Sequence, residues 1–195
     1  MMDAILQWDA DILFFFQDHI RTAWLDPIMK GISLVGYKGI FWIILCIALM
    51  IPKKTRRVGI CAASALLLSF IFNNLLMKNL VARVRPYEVL EGLKLLVDPE
   101  KDLSFPSGHT ACVFSVGMGI LLSANKKLPG ILVLCFGVLM GISRLYVGVH
   151  YPTDVICGAI FASLAAVAAY FIFRFIENKV RKRREERSDA DSMMV

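Results

Sequence analysis

The chain has 195 residues, 57% of them hydrophobic and only 19% charged, with a mean hydropathy of +0.64. That balance leaves too little polar surface for a soluble domain of this length and describes an integral membrane protein in one domain. The net charge of +6 is unevenly placed, in Lys53–Arg57, Lys126–Lys127 and Lys179–Arg187. Beside apolar runs such clusters mark cytoplasmic loops facing anionic lipid rather than a nucleic-acid surface.

Taken in order, the first element is residues 4–20, apolar but carrying Asp9, Asp11 and Asp18. At about 17 residues it stands at the lower limit for a span. An interfacial helix with its acids towards water is the alternative. The acidic opening MMDAILQWDAD does not match a cleaved signal, which needs early positive charge. Asp26-Pro27 starts a run from Ile28 to Ile51, closed by the proline and four cations of Pro52–Arg57. Val58–Leu80 follows, with Asn74 and Lys78 four apart and therefore expected on one helix face.

Residues 81–105 form the longest polar stretch and predict a loop, in which Arg83 and Tyr87 are expected to be exposed. Ser107–Ala124 and Leu128–Val147 are two further spans joined by the turn at Asn125–Lys127, and Pro152 opens the last, to about Ile176. The expected fold is thus all-α: a polytopic membrane bundle of about six helices, five of them spans, with an N-terminal interfacial or spanning helix. One domain covers residues 1–178, and 179–195 is a basic, disordered cytoplasmic tail. The five cysteines (Cys46, Cys61, Cys112, Cys135, Cys157) lie inside apolar runs without paired ligand spacing, as small hydrophobes rather than disulfides or zinc ligands.

The three cation clusters are separated by even numbers of crossings, so they share one side, and the positive-inside rule makes that side cytoplasmic. The loops at 81–105 and 148–151 then share the outer face. Three motifs meet there: KNLVARVRP (78–86), PSGH (106–109) and SRLYVGVHYPTD (143–154). Lys78, Arg85 and Arg144 supply cations, and guanidiniums match phosphate oxygens in pairs. Ser107 and Gly108 stand at a helix start, where free N–H groups and the helix dipole favour an anion. Asp154, in the first turn after Pro152, can reach back to a ring nitrogen of His150 and fix its tautomer, while His109 is placed as a general acid.

With these residues the chain resembles the phosphatidic acid phosphatase type 2 and vanadium haloperoxidase superfamily, and within it the bacterial membrane lipid phosphatases acting on undecaprenyl diphosphate. Every position that defines the three motifs is filled. The resemblance implies a six-helix membrane bundle and hydrolysis of a phosphoester without metal or other cofactor. His150 would become a phosphohistidine, Asp154 would orient it and His109 would act as acid. Lys78, Arg85, Ser107, Gly108 and Arg144 would bind the phosphate. The expected substrate is a lipid phosphate or diphosphate at the outer face of the cell membrane. Phosphatidylglycerol phosphate and phosphatidate are alternatives to undecaprenyl diphosphate.

Singly, each residue has a plainer explanation. Lys78 can snorkel at a helix end, Arg85 and Arg144 can hold headgroups, Ser107 can be only an N-cap, and Gly108 can be a turn residue. His150 with Asp154 can be a structural hydrogen bond, and Ser143 can touch phosphate or merely pack. Two other function classes remain: an anion or lipid transporter, which needs ionisable groups at mid-membrane, and a non-catalytic lipid-binding protein, which has no need of His109, His150 and Asp154 together.

Overall fold

The structure is a computed structural model that describes the backbone of residues 2–193 and the side chains of residues 4–186. It is all-helical, with no strand among the described residues. The chain runs through α1 (Met2–Phe15), α2 (Asp26–Val35), α3 (Ile40–Met50), α4 (Arg56–Phe70), α5 (Lys78–Val81), α6 (Pro86–Val89), α7 (Gly108–Ser123), α8 (Leu128–Tyr146) and α9 (Pro152–Met193).

Among the described residues, four helical stretches are long and apolar enough to cross a membrane: Asp26–Met50, Arg56–Val89, Leu128–Tyr146 and Pro152–Glu186. The first is α2 and α3 joined through a tight turn, where Lys38 and Gly39 take left-handed backbone angles (φ 50° and 68°). The fifth expected span, α7, has 16 residues, about 24 Å of helix at the usual rise. It is short because it is the centre of the bundle. Packed against α4, α8 and α9, it buries Ala111, Val113, Val116 and Ile120 and needs no full lipid-facing length.

Small residues allow that packing. A β-carbon on Gly119 would lie 2.7 Å from the α-carbon of Ala62 on α4, so the two backbones touch. Ala65 on α4 and Ala166 and Ala169 on α9 form a second close seam. Such seams substitute for the hydrophobic drive that lipid removes. Large apolar side chains point outwards instead, among them Ile44, Leu67, Leu132, Leu164 and Phe171, as a bilayer-facing surface requires.

The basic segment after Lys179 continues α9 to Met193, and residues 194–195 of the expected tail lie outside the described residues. One expectation changes here. The acids of residues 4–20 do not all face water. Asp11 and Asp18 are exposed, but Asp9 is fully buried against the start of α9. Arg57 on α4 pairs with Glu177 on α9 at 2.7 Å, which brings the Pro52–Arg57 cations and the basic end of α9 to the same end of the bundle.

Candidate active site

The site is at the opposite end, where α5, the 90–105 loop, the start of α7, the end of α8 and the start of α9 converge. Lys78 arrives through a change of helical register. One π-helical stretch, Ile71–Met77, follows α4, and a π turn rotates the residues after it relative to an unbroken α-helix. The buried pair is therefore Asn73 and Lys78, rather than Asn74 and Lys78 as even α-helical spacing predicts. Asn74 instead lies against Gly108, 3.4 Å from where a β-carbon would stand.

Lys78, Arg85 and Arg144 are all buried and all turned to the same two carboxylates. Lys78 Nζ reaches Asp102 Oδ2 at 2.5 Å. Arg85 pairs with Glu100 and with Asp102, each at 2.5 Å. Arg144 pairs with Glu100 and donates to Ser33 on α2. His109 Nε2 is 4.0 Å from Glu100. Burial pulls the Glu100 pKa up, but the positive surroundings, led by Arg144, outweigh it and hold the carboxyl at about 2. Asp102 is likewise held at about 2, burial being outweighed first by its bond to Lys78. Two acids of the chain itself therefore fill the anion-binding positions of this pocket.

His150 is buried in the turn between α8 and α9. Its Nε2 faces this cationic wall, 3.5 Å from Arg85 Nη1. Its Nδ1 faces Asp154 Oδ2 at 3.5 Å and Ser104 Oγ at 3.5 Å. Burial first, then Arg85 and Arg144, depress the His150 pKa well below 6.5, so the ring is neutral at pH 7. Asp154 is held from several sides. Its Oδ2 accepts from Ser104 Oγ at 2.5 Å and from the Tyr151 amide at 3.0 Å, the backward reach of a carboxylate in a helix first turn. Its Oδ1 accepts from Arg83 at 2.8 Å.

The expected residues divide accordingly. Lys78, Arg85, Arg144, His109, His150 and Asp154 are brought together. Ser107 is an N-cap: its hydroxyl accepts from Thr110, and its amide donates to the Asp154 carbonyl at 3.0 Å. That amide is used inside the protein and is not free for an anion. Gly158 makes this contact possible, since a β-carbon there would lie 2.8 Å from the Ser107 carbonyl oxygen. Gly108 opens α7 beside Asn74. Ser143 donates to the Met140 carbonyl at 2.7 Å, so it packs within α8.

Sequence reasoning missed Glu100, Asp102, Ser104, Arg83 and Asp9. Arg83 and Tyr87 are not the exposed loop residues expected: Arg83 bonds Asp9, Thr153 and Asp154, and Tyr87 donates to the Glu100 carbonyl at 2.9 Å. A signal for Asp9 exists. Asp9 and Asp11 fall about 200° apart on a helix, so both cannot face water. Asp11, bonded to Gln7 at 2.7 Å, is the outward one.

Glu100, His109 and His150 form a metal-sized cluster, with one ligand atom of each within 4.8 Å of the others. Arg85 and Arg144 adjoin it, and two guanidiniums at this range oppose a cation as firmly as they favour an anion. A cleft of about 500 Å³ is lined by Lys78, Arg85 and Asp102 together with the apolar Phe70, Leu75 and Val84.

A multi-pass helical bundle with a buried, cation-walled anion pocket and a neutral histidine facing it defines a class, the membrane phosphoric ester hydrolases. The PAP2 superfamily model matches residues 58–181, more than half of the chain, and the chain belongs to that superfamily. Over 151 residues it is 34% identical to an undecaprenyl-diphosphatase of Sulfolobus acidocaldarius, covering 77% of this chain and 72% of the relative. It is 31% identical to phosphatidylglycerophosphatase B of Bacillus subtilis over 184 residues, 86% of this chain and 82% of the relative. The crystal structure of a transmembrane PAP2 type phosphatidylglycerolphosphate phosphatase from B. subtilis is similar throughout, with a TM-score of 0.69 at 28% identity. That match covers 91% of this chain and 88% of the other.

Proposed function

We propose that the chain hydrolyses a lipid diphosphate, undecaprenyl diphosphate foremost, at the outer face of the cytoplasmic membrane, through a phosphohistidine on His150 and without a metal. One observation carries this reading: Lys78, Arg85 and Arg144 converge on Glu100 and Asp102, with Arg85 and Glu100 beside the His150 ring. The terminal phosphate takes the positions of those carboxylates, and the three cations neutralise the charge that develops on its oxygens.

His150 Nε2 attacks phosphorus, its Nδ1–H directed to Asp154. The bond from phosphorus to the bridging oxygen breaks, and His109, which takes up a proton as the bound phosphate offsets Arg85 and Arg144, gives that proton to the oxygen, so a lipid monophosphate leaves. Water, losing a proton to His109, then attacks the phosphohistidine; inorganic phosphate departs and His150 is regenerated. The guanidiniums and Lys78 supply the positive charge that a divalent ion brings in other phosphatases. In Ser107 and Gly108 the contribution is the positive end of α7, which they open.

Orientation is read from the cations: the end carrying Lys53–Arg57, Lys126–Lys127 and the basic part of α9 is cytoplasmic, and the site is outside. A second reading, phosphatidylglycerol phosphate as substrate, is favoured by the similarity to the B. subtilis phosphatase structure. The deciding experiment is a substrate panel in detergent with chelator present. Undecaprenyl diphosphate is expected to give a higher kcat/KM than phosphatidylglycerol phosphate or phosphatidate. Strict dependence on an added divalent metal, or no release from any of the three, contradicts the proposal.

A further inference from the structure

The mechanism uses Asp154 but leaves unexplained what fixes it, and the answer leads to α1. The Asp9 carboxylate, fully buried, bonds three groups. Its Oδ1 accepts from the Thr153 amide at 2.9 Å, and its Oδ2 accepts from the Thr153 hydroxyl at 2.6 Å and from Arg83 Nη2 at 2.7 Å. Arg83 Nη1 bridges onward to Thr153 Oγ1 at 2.7 Å and Asp154 Oδ1 at 2.8 Å. Its guanidinium stacks 3.7 Å above the Tyr151 ring.

The arrangement follows from a missing cap. A helix start is normally capped by a short polar side chain at the residue before it, accepting from the second or third amide. Before α9 that residue is Tyr151, which has no such group. Asp9 supplies the acceptor from another helix. A carboxylate buried in a membrane bundle needs a cation, and Arg83 provides it. Arg83 has a planar fork with donors to spare, so its other nitrogen is directed at Asp154. With Oδ1 taken by Arg83, only Oδ2 is left to face His150.

We infer that Asp9 and Arg83 are positioning residues for the nucleophile. Asp9 anchors Arg83 and the first turn of α9, and Arg83 fixes the rotation of the Asp154 carboxylate that orients His150. This rests on His150 being the nucleophile. It also gives α1 a part in catalysis besides membrane attachment.

The test is steady-state hydrolysis of undecaprenyl diphosphate by the full chain in detergent, with inorganic phosphate as competitive inhibitor. Asp9→Asn and Arg83→Met should each lower kcat by about tenfold to a hundredfold, the scale seen when partners behind a reacting group are removed. KM and the phosphate Ki should stay within about twofold. Because Asp9 and Arg83 act on the same carboxylate, the loss in the double variant should be smaller than the product of the single losses, and Arg83→Lys should recover part of the loss. Unchanged kcat in both single variants, independent losses that multiply in the double, or a rise in KM at constant kcat would each overturn the inference. If Asp9→Asn does not fold, Arg83→Met decides alone, since it removes the bond to Asp154 Oδ1: lowered kcat with unchanged Ki supports the inference, and unchanged kcat overturns it. His150→Ala is run alongside. Full activity there removes the reading on which the inference rests, whereas an inactive His150→Ala with unimpaired Asp9 and Arg83 variants removes the inference alone.

Discussion

Asp154 accepts four contacts with two oxygens: Arg83 on one, and Ser104, the Tyr151 amide and the His150 ring on the other. Asparagine matches its shape but must turn an NH2 group towards one of these donors. Asp154→Asn is therefore expected to lower kcat by on the order of 10³-fold or more, as for orienting carboxylates elsewhere, with little change in KM. Steady-state kinetics check this. Stability depends on pH in two stages, the first set by burial of His150 and the second by the cations around Glu100. A histidine whose pKa is lowered in the fold, as His150 is, binds fewer protons folded than unfolded, so its contribution is present above about 6.5 and is lost as pH falls below it. Glu100, lowered from 4.5 to about 2, contributes above 4.5 and loses that contribution as pH falls towards 2. Melting in detergent should decline below pH 6.5 and again below 4.5. Glu100→Gln should shrink the second decline, leaving the part that Asp102 contributes below 3.8, and should leave the first.

Among elements, the 90–105 loop and the start of α9 matter most. On the proposed mechanism Glu100 and Asp102 compete with phosphate for Lys78, Arg85 and Arg144, and both stay ionised across the working pH range because their pKa values are held near 2. Substitution rather than acid is what releases the site. Glu100→Gln should lower the Ki of inorganic phosphate by about tenfold, the worth of one charge-assisted hydrogen bond; an unchanged or raised Ki contradicts this competition. At α9, Gly158→Val would press on the Ser107 backbone at 2.8 Å and separate His109 from His150. A shift of about 1 Å in such geometry costs roughly a hundredfold in rate, so kcat should fall even where the bundle still melts cooperatively.

Much of this was legible in the sequence, and what was not has a common cause. His150 and Asp154 are four residues apart across a proline-started helix, so local rules bring them close. The N-cap at Ser107 follows from the same rules. Arg83 and Asp9, by contrast, are 74 residues apart and meet only because α1 packs on α9. Glu100 lies 44 residues from Arg144 in a loop with no periodic pattern, and its acidity resembles that of any exposed turn. The π stretch before Lys78 changes a register that no residue type announces.

For the whole molecule, the alternation of apolar runs and cationic turns specifies a helical membrane bundle, because lipid permits few other folds. It overstates α7, whose small residues mark a bundle centre as much as a span. Orientation is testable at this scale: a single cysteine at Asp98 in a cysteine-free background should react with an impermeant reagent added outside intact cells, and reaction only after permeabilisation reverses the topology. The central claim, covalent catalysis by His150, is tested most directly by trapping. Rapid quench of turnover with undecaprenyl diphosphate labelled in its terminal phosphate should leave an acid-labile, base-stable phosphate on the peptide containing His150, and none in His150→Ala. Label on another residue, or full phosphate release by His150→Ala, contradicts the account.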